Sequence, residues 1–279
     1  MTLEYHVLDT GYCLAAEHHL LQGGRRQTIE CHSLVALLRH PLHGWILWDT
    51  GYAPRMLETT RRWPFWLYRV VTPLRIKPEL AVVNQLAQLS LAPGDVRHVI
   101  VSHFHADHIC GLRDFPQARF ITSRAAYADI APRRGFNALR RGFIPALLPE
   151  DFRERTTLIE NFADSLLPGL GNTHDLFGDG SLRLMDLPGH ARGQMGLLAE
   201  TERGRVLFAA DGAWLTEAIR TGRPPAPITN LIADDAQVVR VTLARLREFS
   251  LACPDVTLIP THCPEAFARE VNTSRSAPR

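Results

Sequence analysis

The segment His98-Val99-Ile100-Val101-Ser102-His103-Phe104-His105-Ala106-Asp107-His108 decides how the rest of this 279-residue chain is read. Its first five residues form a short β-branched run of the kind that becomes a sheet strand. Three histidines and an aspartate follow directly. Crowding that many ring nitrogens and a carboxylate at a strand end is costly unless a ligand satisfies them. Neutral imidazole and carboxylate are good partners for zinc and similar divalent ions. The segment therefore predicts a metal site at the C-terminal end of a strand.

Working outward, the flanking sequence repeats this arrangement. Residues 33–39 and 45–48 read as two strands joined by a turn, and the second runs into Asp49-Thr50-Gly51. Residues 181–187, 194–200, 205–210 and 256–260 also read as strands, and three of them lead straight to His190, Asp211 and His262. Helical spacing over residues 80–91, ended by Pro93-Gly94, and over residues 234–249 completes an α/β pattern. Loops at strand ends are held by a rigid sheet yet free to carry polar groups, which suits them to catalysis. His103 and His105, two apart on an extended segment, can face one position together with His190. Asp107, His108 and His262 can face a second, and Asp211 has two oxygens to share between them.

These residues resemble the metallo-β-lactamase fold superfamily. Its H-x-H-x-D-H signature stands here as His103-Phe104-His105-Ala106-Asp107-His108, and its later histidine, bridging aspartate and last histidine match His190, Asp211 and His262 in order. Asp49-Thr50-Gly51 resembles its first motif, in which the aspartate supports the ligands from behind. The resemblance covers about residues 33–262. It implies an α/β fold, a four-layer αββα sandwich with the metal site at one edge of the sheets, and two divalent ions, zinc being the first expectation. Two ions about 3.5–4 Å apart can activate a bridging water for hydrolysis near neutral pH. Asp107 is expected to act also as the catalytic proton carrier to the leaving group.

The stretches Val35-Ala36-Leu37-Leu38-Arg39-His40-Pro41, Trp48-Asp49-Thr50-Gly51 and Ser102 to His108 look most similar to the N-acyl-homoserine lactonase branch, which implies lactone opening. Trp63, Phe65, Trp66 and Tyr68 are candidates for an apolar substrate channel, or else pack their segment onto the sandwich. Trp214 stands three residues after Asp211, where that branch carries a tyrosine. An indole nitrogen donates only, so a contact with a substrate carbonyl is allowed but acid chemistry is not; Trp214 is read as shaping the pocket. A glyoxalase II-type thioesterase would use the same activated water and is the alternative within the superfamily. A metal-containing binding or sensor protein without turnover is the alternative of another class. The flavin-linked di-iron branch has a glutamate where His105 stands and is disfavoured.

Bulk properties narrow the partners. Lys and Arg number 31 against 29 Asp and Glu, a formal net charge of +2 that shows no nucleic-acid footprint. Arg133-Arg134 and Arg140-Arg141 read as a solvated face, or as receivers of an acidic substrate. Five cysteines without close pairing predict reduced thiols and a cytoplasmic setting. The N-terminal sequence lacks a secretion signal, and no run is long and apolar enough to span a membrane. A small molecule is the expected partner, and the aromatic segment leaves a homodimer open. Residues 1–273 are expected to form one domain with insertions at about 61–78 and 132–180, followed by a disordered tail at 274–279.

Overall fold

The computed structural model describes residues 1–276. Among them, thirteen strands build two sheets. The first, seven-stranded sheet contains β1 (Glu4–Ala16), β2 (Thr28–His40), β3 (Gly44–Trp48), β4 (Leu74–Arg75), β5 (Val96–Ile100), β6 (Arg119–Ser123) and β7 (Thr156–Ile159), in the order β4-β1-β2-β3-β5-β6-β7. The second contains β8 (Leu166–Leu167), β9 (Gly171–Asp175), β10 (Leu182–Asp186), β11 (Met195–Thr201), β12 (Gly204–Ala210) and β13 (Thr257–Pro260), in the order β13-β12-β11-β10-β9-β8. Both are mixed: β3, β5, β6 and β7 run parallel, as do β12 and β13, while the other pairings are antiparallel.

Alternation along β2 explains the layering. Leu34, Ala36 and Leu38 join the core shared with Leu184 of β10 and Leu197 of β11, while Val35 and Leu37 join the core on the opposite face. A period of two sends successive side chains to opposite faces, so a strand apolar on both must be covered on both. Tyr5 of β1 meets the ring of Phe208 in β12 edge to face, centroids 6.1 Å apart, where the two sheets pack together. Helices such as Arg55–Thr59 and Val82–Gln88 cover the seven-stranded sheet through Met56, Val82 and Leu86. The helix Ala236–Ala252 covers the six-stranded sheet through Leu243, Leu246 and Phe249. The expected four-layer αββα sandwich is therefore the observed one.

The strands expected within 33–48, 98–102, 181–210 and 256–260 are present, mostly with bounds moved by a few residues. Residues 132–180, expected as an insertion over the sheet, do more than cover it. They supply β7 at one edge of the first sheet and β8 and β9 at an edge of the second. Residues 61–78 carry the helix Trp66–Val71 and the edge strand β4. The tail expected to be disordered from residue 274 begins inside the helix Pro264–Ser276, and residues 277–279 lie outside the described residues.

Candidate metal centre

Strand ends deliver the polar residues to one place. β3 ends at Trp48 and β5 at Ile100, and the turns after them carry Asp49 and Ser102–His108. Asp49 (φ 59) and Ala210 (φ 46) lie in the left-handed region that non-glycine residues rarely adopt, each where a strand gives way to a site loop. The loop carrying His190 is fixed to the start of the helix Ala236–Ala252. Asp234 N–H donates to the carbonyl of His190 (3.0 Å), Asp235 N–H to that of Gly189 (2.9 Å), and the Thr242 hydroxyl to that of Pro188 (2.6 Å).

Two groups of potential ligands result. His103, His105, His190 and Asp211 form one and Asp107, His108 and His262 the other, and within each the ligand atoms lie within 4.8 Å of one another. Asp211 connects them: its Oδ2 is 3.1 Å from His190 Nε2 and 3.1 Å from His262 Nε2, and its Oδ1 is 3.3 Å from His108 Nε2. Asp107 Oδ2 lies 3.4 Å from His262 Nε2. All seven residues that the sequence nominated as ligands are thus drawn into one cluster.

Hydrogen bonds behind the cluster turn its nitrogens inward. Asp49 accepts from the Ser102 backbone N–H (2.8 Å), the Ser102 hydroxyl (2.7 Å) and His108 Nδ1 (2.8 Å). Because the Ser102 proton goes to the carboxylate, its oxygen is left to accept from His103 Nδ1 at 3.0 Å. His262 Nδ1 donates to the carbonyl of His32 at 2.6 Å. The Nε2 atoms of His103, His108 and His262 are therefore lone-pair bearing when these rings are neutral, and they face the centre. Such outer contacts fix tautomer and ring orientation in metal sites. Sequence reading singled out Asp49 but missed Ser102 and His32, whose parts depend on contacts that spacing does not reveal.

The buried atoms His103 Nε2, His108 Nε2 and Asp211 Oδ1 have no hydrogen-bond partner among the described residues. Leaving buried polar atoms unpaired is expensive, and divalent cations between the two groups would satisfy all three. The donor set, nitrogen and carboxylate oxygen, fits zinc and its neighbours. Electrostatics in the metal-free chain agree. Burial pushes His103 and His105 far below the usual histidine range, leaving them neutral. Burial also opposes the charge on His108, but Asp211, Asp49 and Asp107 outweigh it and hold that ring well above its ordinary value. The same contest, with Asp211 and Asp107 opposing burial, leaves His262 at about 9. Burial works against the Asp211 charge, yet His262, His108 and His190 keep its carboxyl well below the usual range.

The nominated pocket residues separate. Trp214 is buried at the site, its ring centroid 5.4 Å from that of His190, and its N–H donates to Asp211 Oδ2 at 2.9 Å. That proton is committed to the carboxylate instead of facing a substrate. Trp63 is 68% exposed with its ring parallel to Phe136, and Trp66 is 42% exposed. Tyr68 is buried and Phe65 half-buried in the core under the helices of the first sheet. None of these four lines the clefts that border His190. One cleft, about 530 Å³ with its open mouth, is walled instead by Trp214, Ala218, Pro225, Val239 and Leu243 beside His190 and Asp211. Gly142, from the 132–180 segment, was also missed: at φ 59 its carbonyl accepts from Ala106 N–H at 2.9 Å, and a Cβ there would lie 2.7 Å from the His105 ring.

Known proteins resemble this chain in family, in sequence and in fold. The family described as Metallo-beta-lactamase superfamily matches residues 28–262. The N-acyl homoserine lactonase AttM of Rhizobium radiobacter is 25% identical over 271 residues, covering 95% of each chain. A probable metallo-hydrolase of Mycobacterium tuberculosis is 29% identical, covering 84% of this chain and 77% of that protein. Among solved structures, an N-acyl homoserine lactone hydrolase with N-hexanoyl-L-homoserine at its catalytic metal centre superposes with a TM-score of 0.72 at 21% identity, covering 95% of both. AidC, a dizinc quorum-quenching lactonase, gives 0.66 at 16% identity, covering 94% of this chain and 88% of the other. The two structural likenesses carry the fold alone.

Proposed function

Since the chain belongs to the metallo-β-lactamase superfamily, we propose that it is a hydrolase working with two divalent metal ions, zinc first among them, and that it opens a lactone ring such as that of an N-acyl-homoserine lactone. The observation that carries the metal dependence is that the buried atoms His103 Nε2, His108 Nε2 and Asp211 Oδ1 converge on one place without a hydrogen bond among the described residues. The choice of lactone is supported by relatives named N-acyl homoserine lactonase, which align with nearly the whole chain at 24–25% identity.

In this reading His103, His105 and His190 would hold one ion, Asp107, His108 and His262 the other, and Asp211 would stand between them. Bound there, the ions would supply Lewis acidity and a water acidic enough to attack near neutral pH. The chain's own residues do the rest. Asp49 and Ser102 lock the imidazoles, and Trp214 N–H orients the shared carboxylate. Asp107 carries the proton toward the leaving oxygen, since its carboxylate belongs to the second group, with Oδ2 3.4 Å from His262 Nε2, where the activated water would form. All five cysteines are unpaired, which supports a reducing, cytoplasmic setting. The exposed apolar patch of Trp63, Trp66, Val70 and Val71 supports a homodimer.

A panel of N-acyl-homoserine lactones, acyl thioesters and an activated phosphodiester, offered to the metal-loaded protein, tests this reading. Selective lactone opening is expected; thioester cleavage without lactone opening would replace the substrate while keeping the metal chemistry.

A further inference from the structure

The cleft beside His190 and Asp211 has an unusual wall. Ala236, Val239, Arg240 and Leu243 all line it, at the helical spacing that places residues on one face. Three of these fit an apolar wall, and Arg240 interrupts it. The residue is exposed, and among the described residues its guanidinium has no hydrogen bond or ion pair. Its neighbours differ: Arg245 donates to the carbonyls of Gly169 and Leu170, Arg247 to that of Arg220, and Arg141, across the loop, is paired with Asp234. Asp211, at the metal groups, is the only carboxylate among the lining residues.

We propose that Arg240 is a specificity residue which selects substrates whose apolar arm ends in an anionic group, a carboxylate above all. The arm would lie along Trp214, Ala218, Val239 and Leu243, with the bond to be broken held at His190 and Asp211. A guanidinium forks onto a carboxylate through two parallel N–H donors, and such charge-assisted bonds are stronger than neutral ones. Arg240 is exposed where it lines the cleft, so binding requires little desolvation of the cation. This rests on the hydrolase reading for the position of the scissile bond, but not for the recognition itself.

The test compares N-hexanoyl-homoserine lactone with its counterpart whose chain ends in a carboxylate, using the metal-loaded protein and its R240Q and R240E variants. The wild type should favour the carboxylate-ended lactone by about tenfold, through KM. R240Q should abolish that preference and R240E reverse it, the preference being read as the ratio of kcat/KM for the two lactones within each protein. Calorimetric binding of the two matching non-hydrolysable acyl amides reads the same preference without turnover. A wild type indifferent to the terminal carboxylate in both assays, or R240Q retaining the preference, would overturn the proposal. Failure to open either lactone while the carboxylate-ended amide binds more tightly in an Arg240-dependent way would sink the lactone reading and leave this one standing.

Discussion

At the scale of single residues, the centre depends on where each proton sits. Asp49 accepts from three buried donors, Ser102 N–H, Ser102 O–H and His108 Nδ1. D49A strands all three and frees two imidazoles to turn, so metal affinity should fall by about 10- to 100-fold in chelator competition. Unchanged affinity would show that these contacts are dispensable. D107N removes the proton carrier but keeps an oxygen ligand. Turnover should drop by about 100-fold or more at retained metal content, a loss within the range of general acid–base contributions; full activity with metals bound would exclude Asp107 from proton transfer. His262 titrates at about 9 in the metal-free chain, raised by Asp211 and Asp107 against its burial, and is protonated at pH 7. A metal needs the neutral ring, so loading at pH 7 should release protons, and the release should shrink as pH rises through about 9. Calorimetry in buffers of different ionisation enthalpy reads that number directly; pH-independent proton release would contradict it.

At the scale of elements, the sheet sets positions and a few glycines permit the close approaches. Gly189 has φ 117, and a Cβ there would lie 2.4 Å from the Val239 backbone nitrogen. G189A should therefore cost about 2–3 kcal/mol in urea unfolding and loosen His190; a wild-type midpoint would mean that the helix Ala236–Ala252 yields easily. The same scale explains what the sequence disclosed. His103 to His108, His190, Asp211 and His262 were legible because each follows a short apolar strand, and strands on sheets buried on both faces carry a strong signal. Strand β1 was missed because polar His6, Asp9 and Thr10 interrupt it and Gly11 bends it at φ 113. β7 and β8 were missed because they are brief edge strands, and β9, between β8 and β10, because it lies in a segment rich in turn formers. Trp214 stood out for its place after Asp211, but its bond to that carboxylate depends on a side-chain orientation that no periodicity encodes.

At the scale of the whole molecule, two sheets with helices outside bring loops from distant parts of the chain to one edge, and the ligands close them together. No helix among the described residues is long and apolar enough to cross a membrane. Ions that bind the folded chain and not the unfolded one must stabilise it, by about 4 kcal/mol at a thousandfold excess over the dissociation constant. Chelation should lower the melting temperature by several degrees and zinc should restore it; a melting curve indifferent to both would place the metals outside the fold's energetics. The most direct test of the central claim is lactone-opening rate measured against equivalents of zinc returned to the chelated protein. The rate should rise from background to a plateau at about two equivalents per chain. Activity that survives complete chelation, or a plateau at one equivalent, would contradict that claim.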